Sequence, residues 1–314
     1  MLAVQYDRYG GPEVVEVREV APPVAGPGQI LVRVEAAALN PKDVLTRAGK
    51  FASLAGRHFP KGLGYDYAGA VAALGPGVAG VRVGDPVFGM LSGWRGCALA
   101  QSVAVGADEW APRPAGLRAT EAAALPLVAQ TALQALRDLG RVGPGSSVAI
   151  HGASGGVGTV AVQIAKALGA RVTALCGAGS FELVRSLGAD AVHDYRQTPP
   201  SVLPEHFDCF FDAFGNQSYW RLRPRLKARG TYVTTVPSVA NLCDHALTQV
   251  WPGRTARLVV VRTRRADLEQ IARWVEAGAL RPVIAQVLPL AQVRAAQDAQ
   301  QSRHTHGKIV LTIP

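Results

Sequence analysis

Ser147-Val148-Ala149-Ile150-His151-Gly152-Ala153-Ser154-Gly155-Gly156-Val157-Gly158 is the stretch on which the fold turns. The apolar run Val148 to Ile150 stops at a glycine loop, and an apolar-periodic segment, Val157 to Leu168, starts directly after it. This pattern predicts strand, tight turn, helix. Such a turn aims backbone N–H groups and the positive end of a helix dipole at one point, where a phosphate can sit. Gly152, Gly155 and Gly158 follow the spacing G-x-x-G-x-x-G. Each position has a physical use: a tight turn, close approach of backbone to a pyrophosphate, and close packing of helix on strand. The expectation is a dinucleotide site.

A second strand, predicted over Arg171 to Leu175, ends at Cys176-Gly177. A site that prefers NAD usually places Asp or Glu near such a strand end to hold the ribose 2′-hydroxyl. No acidic residue occurs from Gly152 through Phe181, so that interval has no carboxylate to repel a 2′-phosphate. The expected cofactor is NADPH. Lys166 lies mid-helix, which leaves Ser180, Arg185, Tyr195 and Arg196 as the nearest candidate phosphate partners. Arg185 and Arg196 equally suit solvated surface positions.

Outward from this core, 314 residues suffice for a large apolar interior and two domains. Hydrophobic content of 48% with 18% charged residues indicates an ordered globular chain. No apolar run approaches the roughly 18 residues of a membrane span. The chain opens on a strand-like Leu2 to Tyr6 without a basic-then-apolar leader, so a cytoplasmic location and no membrane partner are expected. Cys97, Cys176, Cys209 and Cys243 are far apart, with no metal-site or redox-motif spacing, and read as free thiols. The net charge of +10 raises nucleic acid as a partner. The arginines are scattered, however, and only Arg221 to Arg225 and Arg262 to Arg265 form small clusters, so a solvated surface is the expected role.

The first hundred residues are short alternating runs: Val14 to Val20, Ile30 to Ala38, Tyr67 to Ala73, Val87 to Met90 and Cys97 to Val105. Gly/Pro turns separate them, the pattern of a small, partly open β-barrel. From about Arg118 the pattern becomes helical, with Thr120 to Leu139 the first long stretch, and strands then alternate with helices as in a parallel sheet. The predicted class is α/β, with a barrel domain over 1–117, a doubly wound dinucleotide domain over 118–285, and a tail over 286–314 returning to the barrel.

Seven motifs in order carry a resemblance: Asn40-Pro41-Lys42-Asp43 with Arg47-Ala48-Gly49; Gly64-Tyr65-Asp66-Tyr67-Ala68-Gly69; Val83-Gly84-Asp85-Pro86-Val87; Ala122-Ala123-Ala124-Leu125-Pro126 through Thr131; His151 to Gly158; Gly188-Ala189-Asp190 with Asp194-Tyr195-Arg196; and Gly307-Lys308-Ile309-Val310. The chain resembles the medium-chain dehydrogenase/reductase superfamily, and within it the zinc-free, zeta-crystallin-like quinone oxidoreductases. The resemblance implies a GroES-like barrel plus a Rossmann domain. Zinc-dependent relatives need Cys, a His-Glu pair and a further Cys or acid. Here Asn40 stands at the first cysteine and Gly64-Tyr65-Asp66 at Gly-His-Glu. No Cys, His or acid lies between Pro126 and Thr131, and Cys97 is alone in its region, so no metal is expected. Lacking a strong Lewis acid, such a site suits hydride transfer to an electron-poor quinone or enone, driven by proximity and by hydrogen bonds to the acceptor oxygen.

The resemblance also implies site residues. Asn40 and Asp43 would floor the active site, with Asn40 donating its amide N–H to the acceptor and Asp43 acting directly or orienting Arg47 or loop backbone. Tyr65 would hydrogen-bond or protonate the reduced oxygen, or only fill the space left by zinc. Leu45 departs from the family, where many quinone oxidoreductases carry tyrosine. Thr131 would meet the nicotinamide-side phosphate or ribose; Ser154, Gly155, Gly156 and Val157 the pyrophosphate; Cys176, Gly177 and Ser180 the adenosine ribose. Ser180 stands where a lysine is common. Tyr195 and Arg303 would reach the 2′-phosphate, with Lys308 an extra contact. Phe214, Gly215, Thr235 and Val236 would border adenine and nicotinamide. His151 is expected to be structural, and Val239 to Gly253 a wall of the acceptor pocket or a plain surface excursion.

The leading expectation is an NADPH-dependent reductase of quinones or α,β-unsaturated carbonyls. Its rivals are a 2-alkenal or enoyl-thioester reductase and a non-catalytic NADPH-sensing or RNA-associated protein. An exposed edge at Arg257 to Val261 predicts a homodimer.

Overall fold

The computed structural model describes residues 1–56, 58–94, 96–250, 253–302 and 305–314. The chain forms two compact units. The first comprises Met1–Leu127, Arg262–Glu276 and Pro282–Pro314; the second, Val128–Val261 and Ala277–Arg281. The first unit thus continues ten residues past position 117. It does so because the helix Ala119–Ala123 packs on the strands Ile30–Ala38 and Asp66–Leu74.

The first unit is built around the strand Ile30–Ala38. Its Ile30, Val32 and Val34 point inward while Arg33 is exposed, the two-residue period of a half-buried strand. The neighbouring sheet runs Ile284–Pro289, Lys308–Thr312, Ile30–Ala38, Asp66–Leu74, Pro86–Met90, Trp110–Pro112, and Ser102–Val105 also pairs with Ile30–Ala38. A smaller sheet joins Glu16–Glu19, Leu2–Tyr6 and Lys61–Gly62. The tail strand Lys308–Thr312 lies antiparallel to Ile30–Ala38, with Val310 opposite Ala38. Residues 97–101, expected as strand, are irregular because their backbone bonds are divided among Leu2, Val4, Val34, Leu63 and Gly64 rather than running along one ladder.

The expected helix from Thr120 to Leu139 is three pieces: Ala119–Ala123, Pro126–Leu133 and a π-helical Gln134–Leu139. Pro126 lacks the N–H that a continuous helix would need, so a new helix starts there.

The second unit is a parallel sheet in the order Ala191–Asp194, Arg171–Cys176, Ser147–His151, Phe207–Asp212, Leu226–Thr234, Thr255–Leu258. Counted from Ser147–His151, this is the doubly wound order 3-2-1-4-5-6. In such a sheet the strand order reverses between the first and fourth strands, leaving a crevice at their C-terminal ends. The core packs Phe207, Phe210, Tyr219 and Tyr232 beneath it, with the rings of Phe210 and Tyr232 stacked at 6.3 Å. The last strand, Thr255–Leu258, ends the sheet and begins two residues earlier than the expected edge; Val259 continues by bonding Thr234, and no pairing follows among the described residues.

Candidate functional site

The candidate residues fall into two groups, one in each unit. In the second unit the glycine turn has the stereochemistry its spacing demands. Gly152 sits at φ 79°, a left-handed conformation that favours glycine. A Cβ on Gly158 would lie 2.1 Å from the Gly152 carbonyl oxygen and 2.6 Å from Ala153 Cα, so helix and strand touch backbone to backbone there. Gly155 differs: its nearest neighbour to a Cβ is 3.5 Å away, and nothing within the chain forbids a side chain. Gly155 caps the helix Gly156–Ala167, whose first N–H groups have no intrahelical acceptor. A cradle that is open at Gly155 and ringed by free N–H groups fits a dinucleotide pyrophosphate. Ser154, Gly156 and Val157 lie in this cradle, and Thr131 lies buried on the helix Pro126–Leu133.

Cys176 ends its strand almost fully buried, and burial pushes its thiol up to about 11, with Asp194 adding to the effect and Arg185 opposing it. Gly177 faces open space, and Ser180 is held in the following turn by its N–H bond to Gly177. The Arg196 guanidinium lies over the exposed ring of Tyr195, 5.6 Å from its centroid. Two arginines therefore border this strand end. The acid missing from the Gly152–Phe181 interval has a counterpart from the next strand, because Asp194 pairs in register with Cys176 and accepts the Arg196 N–H. Sequence distance concealed it; only the strand pairing brings it close.

Around the crevice, His151 meets the rings of Tyr195 and Phe214 edge-on at 5.9 and 6.4 Å. Its Nε2 pairs with Asn216 Oδ1 at 2.9 Å, its buried Nδ1 has no partner among the described residues, and burial pushes its imidazole below the usual range, favouring the neutral ring. Asn216 and Gln217, which the sequence did not single out, are positioned by Asp212, whose carboxylate accepts the N–H groups of Gly215 and Gln217. Gly215 at φ 79° is pressed against Val236, and Thr235 donates to the Ala213 carbonyl. Phe214, Gly215, Thr235 and Val236 thus share one rim of the sheet. Arg303 and Trp251 lie outside the described residues.

In the first unit, Asn40, Asp43, Asp66 and Lys308 form one buried polar cluster. The Lys308 ammonium bonds the Leu39 carbonyl at 2.8 Å, Asn40 Oδ1 at 2.5 Å and Asp66 Oδ2 at 3.1 Å. Asp66 also accepts Asn40 Nδ2 at 2.9 Å and the Leu127 N–H at 2.8 Å. Burial pushes the Asp66 carboxyl up, and Lys308 opposes that. Asp43 accepts the Asn40 N–H at 2.9 Å and the Gly64 N–H at 2.8 Å. Burial nevertheless lifts its carboxyl to about 6.

This geometry corrects two expectations and selects among the alternatives for a third residue. Asn40 does not present a free amide N–H to an acceptor, because both ends of its amide are engaged inside the cluster. Lys308 is not available to a cofactor, because its three ammonium protons already have acceptors. Asp43 orients loop backbone at Gly64 rather than Arg47, which instead donates to Gln301. Tyr65 is also committed: its hydroxyl donates to the Trp94 carbonyl at 3.1 Å, and burial pushes its ionisation far above the ordinary phenol range. Lys42 lies over its ring, 3.8 Å from the centroid.

The cluster does not fit zinc. An ammonium already sits between the Asn40 amide and the Asp66 carboxylate, and a phenol replaces imidazole. Among the described residues no three His, Cys, Asp or Glu side chains gather as metal ligands.

Residues 26–124 match the alcohol dehydrogenase GroES-like domain family, and residues 187–311 the family described as zinc-binding dehydrogenase. A chloroplast envelope quinone oxidoreductase homolog of Arabidopsis thaliana is 31% identical over 99% of this chain and 98% of its own. The chain belongs to the medium-chain dehydrogenase/reductase superfamily. Within the superfamily it falls in the quinone oxidoreductase branch. A mitochondrial NAD(P)H oxidoreductase of Homo sapiens is 34% identical over 98% of this chain and 88% of that protein. The structure of a quinone oxidoreductase from Coxiella burnetii superposes with a TM-score of 0.91 at 29% identity, covering 100% of this chain and 99% of that one. As a medium-chain reductase, the chain is an oxidoreductase that uses a nicotinamide cofactor. No helix among the described residues is long and apolar enough to cross a membrane.

Proposed function

We propose that the chain is a zinc-independent, NADPH-dependent reductase of quinones or related α,β-unsaturated carbonyls. The observation that carries this reading is the Asn40–Asp66–Lys308 cluster, where an internal ammonium occupies the place between two positions that hold metal ligands in zinc-dependent relatives. A bound dihydronicotinamide supplies the hydride. The residues of this chain hold it: Ser154, Gly155, Gly156 and Val157 at the pyrophosphate, Thr131 on the nicotinamide side, Cys176, Gly177, Ser180 and Tyr195 at the adenosine ribose. Phe214, Gly215, Thr235 and Val236 border the rings. Arg185 and Arg196 favour the 2′-phosphate, while Asp194 works against it.

Leu45, apolar where many quinone oxidoreductases carry tyrosine, favours a second reading, a 2-alkenal or enoyl-thioester reductase. One experiment separates the two: NADPH oxidation measured with naphthoquinone, benzoquinone, alkenals and enoyl thioesters, with NADH in parallel. Turnover confined to alkenals or thioesters selects the second reading. Strict NADH preference rejects the NADPH assignment. A stoichiometric zinc by elemental analysis rejects zinc independence.

The reading extends to a cytoplasmic homodimer joined at the Thr255–Leu258 edge, since an uncovered strand edge invites pairing with a second copy. Exposed Val239, Leu242, Leu247 and Val250 on the adjacent helix Val239–Val250 add apolar surface nearby. Light scattering at micromolar concentration tests it, and a monomer rejects it.

A further inference from the structure

A cavity of about 460 Å³ opens in the second unit, at the starting ends of its parallel strands. Ser146, directly before the strand Ser147–His151, lines it, as do Asp208 and Thr255 near the starts of Phe207–Asp212 and Thr255–Leu258. The glycine turn follows the other end of Ser147–His151, roughly 13 Å away along a strand that rises about 3.3 Å per residue. The cavity is large enough for a small molecule.

Three arginines, Arg141, Arg229 and Arg257, line this cavity. Its two acids already have cations: Asp138 meets Arg137 Nε at 2.6 Å, and Asp208 meets Lys227 Nζ at 2.7 Å and the Ser147 N–H at 2.8 Å. Among the described residues no carboxylate pairs with any of the three arginines. Arg257 is half-buried, and its Nη1 donates to the Ala256 carbonyl at 2.9 Å. Burial pushes its guanidinium down from the ordinary range and the Arg141 charge adds to that, so two like charges oppose each other in one cavity.

The backbone of Arg141 is a separate observation. Its φ is 52°, and every other left-handed residue among the described residues is glycine. The helix Gln134–Leu139 ends at Gly140, where a Cβ would meet Cys209 Sγ at 2.7 Å, and the next residue makes the left-handed turn. Glycine ordinarily fills such a position after a helix end. The chain instead sets a strained arginine there, beside two more guanidinium groups.

We propose that this cavity binds a compact multivalent anion of the phosphate class, inorganic phosphate or pyrophosphate, held by Arg141, Arg229 and Arg257. Guanidinium forks donate paired N–H groups to phosphate oxygens, and an anion between them turns their repulsion into attraction. Hydroxyl donors stand beside them. Ser146 Oγ accepts the Gly143 N–H at 3.1 Å and keeps its own proton; Thr231 and Thr255 share one bond at 3.1 Å, which leaves one hydroxyl proton to give. Among the described lining residues only Leu139 has an apolar side chain, so the cavity offers no platform for a nucleobase. The anion ties the helix end at Arg141 to the strand Thr255–Leu258, and its binding stabilises the second unit. The site stands apart from the reductase reading.

The test is calorimetric titration in low-salt buffer with phosphate, pyrophosphate and adenosine monophosphate. The protein is first saturated with nicotinamide cofactor, so that the glycine turn is occupied. Wild type should bind pyrophosphate more tightly than phosphate, and adenosine monophosphate no more tightly than phosphate. Arg141→Gly and Arg257→Gln should each weaken pyrophosphate binding about tenfold or more, the loss of a charge-assisted bond. Arg221→Gln, at an exposed arginine that does not line the cavity, should bind as wild type does. Arg141→Gly relieves both strain and repulsion, so without added anion it should melt no lower than wild type, and its lost affinity is then not a loss of fold. No saturable binding by wild type overturns the proposal, as does wild-type affinity in both cavity variants. Adenosine monophosphate binding tighter than pyrophosphate overturns it too, because that calls for recognition of a base. Single-stranded RNA bound through Arg141 and Arg257 where pyrophosphate is not would assign the face to nucleic acid and overturn it as well.

Discussion

Lys308 Nζ and Asp66 Oδ2 lie 3.1 Å apart with both side chains almost fully buried, so each charge depends on the other and on the hydrogen bonds around them. Removing one partner of such a pair leaves an unpaired buried charge, which costs about 3–5 kcal/mol. Lys308→Met should therefore lower unfolding free energy by about that amount in urea titrations. The double variant Lys308→Met, Asp66→Leu should recover part of the loss. If the single variant is as stable as wild type, the cluster does not bear on folding.

Gly155 and Gly158 should separate binding from packing. Gly158→Ala forces a Cβ into the backbone of Gly152 and Ala153, and overpacking of this kind costs about 1–3 kcal/mol. Gly155→Ala has room inside the chain, so it should leave melting temperature nearly unchanged while weakening NADPH binding at least tenfold in a fluorescence titration. Equal losses of affinity and stability in both variants would contradict the separate roles.

Asp43 predicts a pH signature. Its folded carboxyl, near 6, lies above its unfolded value. The folded state holds that proton more tightly, so its contribution is fully present below about pH 4 and is lost as pH rises through about 6. At about 1.4 kcal/mol per unit, wild type should lose roughly 3 kcal/mol relative to Asp43→Asn between pH 4 and 7. Comparing the two proteins removes the opposing contributions of Asp190 and Asp208, whose carboxyls are held low by backbone and lysine bonds. A flat difference across that window would show that Asp43 titrates normally.

Arg196 bears on the choice of cofactor. Arg196→Ala removes a guanidinium from beside Tyr195, and a charge-assisted bond to phosphate is worth about 1.5–3 kcal/mol. NADPH affinity should fall by about tenfold or more, with NADH affinity unchanged. Asp194→Asn should strengthen NADPH binding. Parallel titrations with both dinucleotides check each expectation.

The glycine turn was legible because its signal is local: twelve consecutive residues contain strand, turn and helix start, and the Gly152 φ and the Gly158 contact follow from the same stretch. The barrel strands were legible from two-residue alternation, although residues 97–101 show that apolar content alone does not make a ladder. The break at Pro126 was legible in principle from its missing N–H. What the sequence hid is pairing at a distance. Asn40 reads as a free amide until Lys308, 268 residues on, takes its oxygen. Asp194 enters the ribose neighbourhood only through its register with Cys176. Lys42 sits in a recognised motif, yet its ring contacts with Tyr65 and Trp94 depend on two other loops.

The strand Lys308–Thr312 closes against Ile30–Ala38 and delivers the ammonium that Asp66 and Asn40 await. A ribosome makes that strand only after the whole of the Val128–Val261 segment has emerged. The second unit can therefore assemble while the first still carries a buried carboxylate without its cation. Until Lys308 arrives, Asp66 lacks the ammonium that pairs with it, so completion of the first unit is timed by the synthesis of the strand Lys308–Thr312 rather than by its own early residues.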